Sequence, residues 1–192
     1  SVDPPSKNSL IKLIENNFRI ERISIESNFI DLKYDGTSFG SKQFNLLLKV
    51  SENIQRLDLS NIDFSMINST KLKKLKNLKY LNLTNTNFNS EDLFNIPETV
   101  EILILSNNNI EPENLLEISS RPQLKKVFAY NTVSDDELKK SLVDQSNNKI
   151  YFGISLQDFS SLEGFPLEKP IIEANGIEIN PNPITDINPK FN

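Results

Sequence analysis

Pairs of apolar residues, separated by one position, recur along this chain at nearly constant intervals. The first members of the later pairs lie 24, 22, 24 and 23 positions apart: Leu57, Leu81, Leu103, Val127 and Ile150. Because alternate residues of a strand point to the same face, each pair predicts a short strand with one buried face. A single unit cannot bury that face alone, whereas stacked neighbours can. The spacing therefore predicts a chain built from repeated units that each contain a strand.

The pattern L-x-x-L-x-L-x-x-N-x-L is followed closely at residues 100–110, and looser copies begin at Ile20, Ile54, Leu78 and Leu124. A period of about 20–29 residues with this pattern resembles the leucine-rich repeat family. The resemblance covers about residues 18–153. It implies an α/β fold, a leucine-rich repeat solenoid of five to six repeats with short parallel strands on the concave face and mostly helices on the convex face. Those helices make it similar to the ribonuclease-inhibitor-like and tropomodulin-like branch.

Three segments are expected along the chain. Residues 1–19 are predicted to form an N-terminal capping helix, residues 20–162 the repeat domain, with an enlarged loop at 31–39, and residues 163–192 a Pro-rich tail. Within the tail, Asn175-Gly176 between apolar residues predicts a two-residue β-hairpin. We expect the tail to cap the last repeat; a docking arm for a partner and a disordered tail are the alternatives. The chain begins at Ser1, which we interpret as a piece of a longer protein.

Composition excludes several classes of chemistry. The chain has no His and no Cys, which removes the usual zinc sites and every catalytic triad or dyad that uses those residues. Its five Gly form no phosphate-binding loop motif. We therefore expect no enzyme, with no catalytic residue, metal or cofactor. The net charge of −5 and the pI near 4.9 argue against a nucleic-acid partner.

The strand positions that alternate with the apolar pairs are not needed by the core. They change from charged and small polar residues in the first units to apolar and aromatic residues in the later ones. Contiguous apolar surface is typical of interaction sites. We therefore expect a protein partner to bind there, with coverage by the tail as an alternative, and nothing indicates a homo-oligomer. The expected binding residues are Arg56, Asp58, Tyr80, Ile102, Ile104, Phe128, Tyr130 and Tyr151.

These observations favour a non-catalytic scaffold inside a larger adaptor or regulatory protein, located in the cytoplasm or nucleus because cysteine is absent. One alternative is a surface or secreted protein for host recognition; glycans at the sequons of Asn68 and Asn82 would support it. Another is a membrane-surface or phosphate-binding module that uses the basic run Lys71–Lys79. A membrane surface is the less favoured partner, because Leu72 and Leu75 within that run suit a helix packed on the core.

Overall fold

The computed structural model describes residues 2–153 and, by their backbone alone, residues 172–174 and 177–179. Seven strands form one sheet in the order in which they occur in the chain, from β1 to β7. They are β1 (Phe18–Ile23), β2 (Ile30–Tyr34), β3 (Ile54–Asp58), β4 (Tyr80–Asn82), β5 (Ile102–Ile104), β6 (Lys126–Phe128) and β7 (Ile150–Tyr151). The α-helices are α1 (Lys7–Glu15), α2 (Ser41–Leu48), α3 (Pro112–Ser119) and α4 (Asp136–Gln145).

The predicted leucine-rich repeat solenoid is wrong. The structure is an α/β sheet of seven strands, mostly parallel, with helices. Its N-terminal part does not consist of equivalent parallel units. Its first two strands, β1 and β2, pair antiparallel, with a register shift between Ile20 and Arg22. The pairs from β2 to β7 are parallel.

The first predicted unit and its enlarged loop differ most from the structure. The positions assigned to one strand and its turn, from Ile20 to Ile30, instead form β1, a tight turn and the start of β2. Asn28 allows this turn because it adopts the left-handed region, with φ of 62°. Much of the expected loop 31–39 is therefore strand, and β2 lies between β1 and β3 in the sheet.

Two of the segments between the later strands form 3₁₀-helices and not α-helices: Ser69–Lys74 and Ser90–Asn95. Asn68 and Asn89 cap them, each side-chain oxygen accepting a backbone N–H two residues later. Six-residue 3₁₀-helices, about two turns long, suit connections with room for few residues between strands.

The core lies on one face of the sheet. Leu57, Leu81, Leu103 and Val127 each have no exposed surface, and successive members are directly opposite each other in the ladders. The helices contribute to the same cluster, for example through Leu13 of α1. The alternation inferred from the apolar pairs is thus found in β3 to β6.

The backbone leaves each later strand through an asparagine turn. The residues three positions after β3, β4, β5 and β6 all adopt φ values between 54° and 66°: Asn61, Asn85, Asn107 and Asn131. The backbone N–H groups of Asn61, Asn85 and Asn107 continue the ladder; that of Asn85, for example, donates to the Ser106 carbonyl at 3.0 Å. Asparagine suits this position because it tolerates the left-handed region better than other side chains with a Cβ.

A strand pair outside the sheet is also described. β8 (Ile172–Ala174) and β9 (Ile177–Ile179) pair antiparallel, with Ala174 opposite Ile177. The predicted turn residues Asn175 and Gly176 lie outside the described residues, as does the remainder of 154–192. The roles of residues 1–19 and 163–192 as caps stay predictions.

Candidate functional site

The candidate site is the face of the sheet opposite the core, here called the ladder face. Two rows of side chains cross it from strand to strand. One row runs along the partners Asp31, Arg56, Tyr80, Ile102 and Lys126. The other runs along Lys33, Asp58, Asn82, Ile104, Phe128 and Tyr151. Since neighbouring strands are about 4.8 Å apart, the members of each row are direct neighbours.

A buried ionic cluster occupies the β1–β3 end of the ladder face. The Arg22 Nε lies 3.1 Å from Asp31 Oδ2, and the Arg56 Nε lies 3.9 Å from the same oxygen. Asp31 has no exposed surface, and Arg22 and Arg56 are also buried. Burial raises the pKa of Asp31 although both guanidinium groups act to lower it. A carboxylate so deeply buried depends on its cations, because desolvation of an unpaired charge is very costly.

Tyr80 joins this cluster to the apolar part of the face. The Arg56 guanidinium carbon lies 4.9 Å from the centre of the Tyr80 ring, within the range of a cation–π contact. Burial raises the pKa of Tyr80 well above its usual value and lowers that of Arg56. The phenol is therefore neutral and unsuited to act as a general base near neutral pH.

The β5–β7 end of the face is apolar and aromatic. The rings of Phe128 and Tyr151 stack with centres 5.2 Å apart and an interplanar angle of 18°. Lys126 Nζ lies 5.9 Å from the centre of the Tyr151 ring. Tyr130, two residues beyond the end of β6, keeps 49% of its surface exposed. Flat aromatic surface of this kind suits contact with another polypeptide segment.

The structure places the eight predicted binding residues on adjoining strands, but most of them are not exposed. Six are buried: Arg56, Asp58, Tyr80, Ile102, Ile104 and Phe128. Tyr151 is half-buried and Tyr130 is exposed. The buried apolar residues Ile102, Ile104 and Phe128 do not belong to the core cluster on the other face. Their role in binding a partner stays a prediction, and their burial requires a covering layer.

Four members of the rows are not among the eight predicted binding residues: Asp31, Lys33, Asn82 and Lys126. Asp31 and Lys33 were missed because their segment was assigned to a loop. The signal that could have found them is the alternation in Ile30-Asp31-Leu32-Lys33-Tyr34, in which every second residue is apolar. These residues insert one more strand between the two arginines. Arg22 and Arg56 are consequently bridged by Asp31 and not direct strand neighbours.

The basic run lies away from the ladder face. Leu72, Leu75 and Leu78 are buried in the core, and Lys73 Nζ lies 5.0 Å from the centre of the Phe94 ring. The apolar residues of the run therefore serve packing. Lys73, Lys74, Lys76 and Lys79 are exposed, whereas Lys71 is half-buried, with its Nζ 5.9 Å from the centre of the Phe44 ring.

No protein-family model and no curated protein sequence matches this chain. Within the described residues, no helix has the length and apolar character needed to cross a membrane.

Proposed function

We propose that this chain is a non-catalytic protein-interaction module that binds a protein segment on the ladder face. The supporting observation is the set Ile102, Ile104 and Phe128, apolar side chains that the core on the other face does not use. An apolar side chain outside the core gains most of its stabilisation from whatever removes it from water. A surface whose apolar side chains need a further layer over them suits recognition of another chain.

The chemistry of the face indicates the kind of segment it would take. Its apolar end suits aliphatic or aromatic side chains, and Lys126 at that end suits a carboxylate. Lys126 is half-buried, so a carboxylate placed near it would interact in a partly desolvated setting, which strengthens the attraction. The proposed partner segment is apolar and acidic.

A cytoplasmic or nuclear setting is part of this proposal, on the ground that the sequence holds no cysteine.

The fold limits which of the two sequons could carry a glycan if the chain were instead a surface or secreted protein. Asn82 has no exposed surface, and its Oδ1 accepts from the N–H of Thr84 at 3.0 Å. A glycan at Asn82 would not fit the folded chain. An intact-mass measurement on native protein therefore tests Asn68.

The decisive experiment compares variants against a purified partner. A partner is captured with the full chain, produced separately and titrated against the wild type, Tyr130→Ala and Met66→Ala. Tyr130 borders the ladder face, whereas Met66 has 90% of its surface exposed and lies outside both rows. We expect Tyr130→Ala to weaken binding by about tenfold or more, as truncation of an interface aromatic often does, and Met66→Ala to have no effect.

The outcome that contradicts the proposal is equally specific. Unchanged affinity of Tyr130→Ala, combined with loss of binding in Lys73→Glu and a steep fall of affinity with salt, would assign binding to the basic run.

A further inference from the structure

The apolar residues of the ladder face are covered. Ile104 has no exposed surface and Phe128 has 1%, although both lie in short strands, on the face away from the core. The buried side chains of the helices join the core cluster on the other face, for example Phe44 of α2 and Leu142 of α4. Within residues 2–153, the helices therefore cover one face of the sheet only. The ladder face needs a layer from elsewhere.

The course of the chain supplies a candidate. The main sheet ends with β7, at one edge, and only residues 154–171 separate Gly153 from β8. The backbone of β8 nevertheless comes close to α1, which packs against β1 at the opposite edge. Residues 154–171 therefore connect β7, at one edge of the sheet, with a strand that lies close to the opposite edge.

The length of the stretch is sufficient. Seven strands at about 4.8 Å spacing make the sheet roughly 29 Å wide. The 18 residues from 154 to 171 can extend to about 60 Å. The connection can cross the ladder face and still contact it at several points.

The chemistry of residues 154–192 matches the face. This stretch carries six acidic residues against two lysines, so it holds −4 of the chain's net charge of −5. It is also rich in Ile, Leu and Phe, among them Phe159, Phe165 and Ile184. An apolar, acidic segment is the kind that the ladder face was inferred to bind.

From these four observations we propose that residues 154–192 lie across the ladder face as an intramolecular ligand. The inference deepens the proposed function and rests on it in one respect: a partner segment of the same chemistry must displace the chain's own C-terminal residues to bind. Partner affinity is then the difference between two competing contacts, and part of the intrinsic affinity is lost to the intramolecular one. This placement corresponds to the coverage by the tail that the sequence left as an alternative, whereas the main expectation was a cap of the last repeat.

Photo-crosslinking in the full, purified chain tests the inference without any partner. Phe128→p-benzoylphenylalanine and Tyr151→p-benzoylphenylalanine place the crosslinker on the face, and Phe94→p-benzoylphenylalanine is the matched control on the exposed helix side. After irradiation of dilute monomer, peptide mapping by mass spectrometry identifies the attached residues. We expect positions 128 and 151 to join residues 154–192 within one molecule, and position 94 not to do so.

Two results would overturn it. Crosslinks from positions 128 and 151 that reach only residues 2–153, or that join two molecules, would show that another layer covers the face. If the substitution at position 128 prevents folding, the crosslinks from position 151 decide the test, because Tyr151 is half-buried and tolerates change more easily.

A second measurement separates this inference from the proposed function. Because the chain has no native cysteine, Ile104→Cys and Tyr130→Cys each carry a single thiol. If the segment covers the face, the thiol at 104 should react about 100-fold or more slowly than that at 130, since it waits for local opening. Equal rates would overturn the intramolecular contact and leave partner binding untouched. Slow labelling at 104 combined with unchanged partner affinity of Tyr130→Ala would overturn the proposed function alone.

Discussion

Four asparagines that follow β3 to β6 show how one side chain can set the path of the backbone. The left-handed region destabilises an ordinary residue with a Cβ by about 1–2 kcal/mol, whereas glycine meets no such steric clash there. The Asn85 side chain also donates to Asn61 Oδ1 at 3.1 Å, and Asn131 does the same to Asn107 at 3.0 Å. The turns are therefore linked to one another in pairs.

We predict that Asn85→Ala lowers the free energy of unfolding by about 1 kcal/mol more than Asn85→Gly does. Both variants lose the side-chain bond to Asn61, so their difference reports the backbone conformation, with φ of 54° at this residue. Urea unfolding of both variants measures it. Equal stability of the alanine and glycine variants would contradict the explanation.

Asp58 is a buried carboxyl whose titration affects stability in the opposite direction from most carboxylates. Burial raises the pKa of Asp58 above its ordinary value of 3.8, against the lowering effect of the hydrogen bonds from Ser60. The folded state thus binds this proton more tightly than the unfolded state. The contribution of Asp58 to stability is lost as pH rises from the unfolded pKa through the raised folded pKa, and is then constant.

We therefore predict that Asp58→Asn is more favourable, relative to the wild type, at about pH 7 than at about pH 4. The amide oxygen can still accept the Ser60 N–H, which now donates to Asp58 Oδ1 at 2.9 Å. Urea unfolding of both proteins across this range gives the difference. A stability difference that does not change with pH would show that the pKa of Asp58 is unshifted.

At the scale of elements, the positions of the core strands follow from apolar residues that recur regularly in the sequence. Leu103 of β5 lies opposite Leu81 and Val127 in the neighbouring strands. Leu103→Ala should lower the free energy of unfolding by roughly 2–5 kcal/mol, the range for a fully buried leucine. Met66→Ala, at a 90% exposed position, should change it by less than about 0.5 kcal/mol. Similar urea midpoints for the two variants would mean that Leu103 does not face the core.

The sequence predicts some elements of this structure and not others, and the difference has physical reasons. Strands β3 to β7 follow from regular apolar pairs, and α3 begins at Pro112 because proline suits the first turn of a helix. The antiparallel start could not be predicted from the same period, because β1 and β2 are joined by a local turn at Asn28 that interrupts it. The repeat pattern was therefore assigned to a region, from Ile20 to Ile30, in which the chain turns back on itself to form an antiparallel pair.

Side-chain hydrogen bonding near β5 shows both the strength and the limit of the motif. The Asn108 amide donates to the carbonyls of Leu83 at 2.8 Å and Leu105 at 2.9 Å, and its oxygen accepts the N–H of Phe88 at 3.1 Å. Asn108 is the Asn of the pattern that residues 100–110 follow. The burial of the candidate site was not predictable in the same way, because alternation tells which face a residue occupies and not what covers that face.

For the whole molecule, the ladder face should make the C-terminal residues matter for stability. We predict that a chain ending at Gly153 is less stable than the full chain by about 2 kcal/mol or more, since Ile104 and Phe128 would lose their covering layer. It should also associate as its concentration rises. Urea unfolding and analytical ultracentrifugation of both chains measure these effects. A monomeric short chain of equal stability would contradict the prediction.

The sheet order has a consequence for how the protein is made. Each strand of the main sheet pairs with the next one in the chain, so Asp31 meets Arg56 only 25 positions later and Tyr80 meets Ile102 after 22. Pairings over such short separations cost little loop entropy and favour fast folding. The antiparallel β1–β2 pair, the most local pair of the main sheet, is synthesised before the other strands of that sheet. Each later strand can then add to an existing edge during synthesis, before the residues inferred to cover the ladder face have been translated.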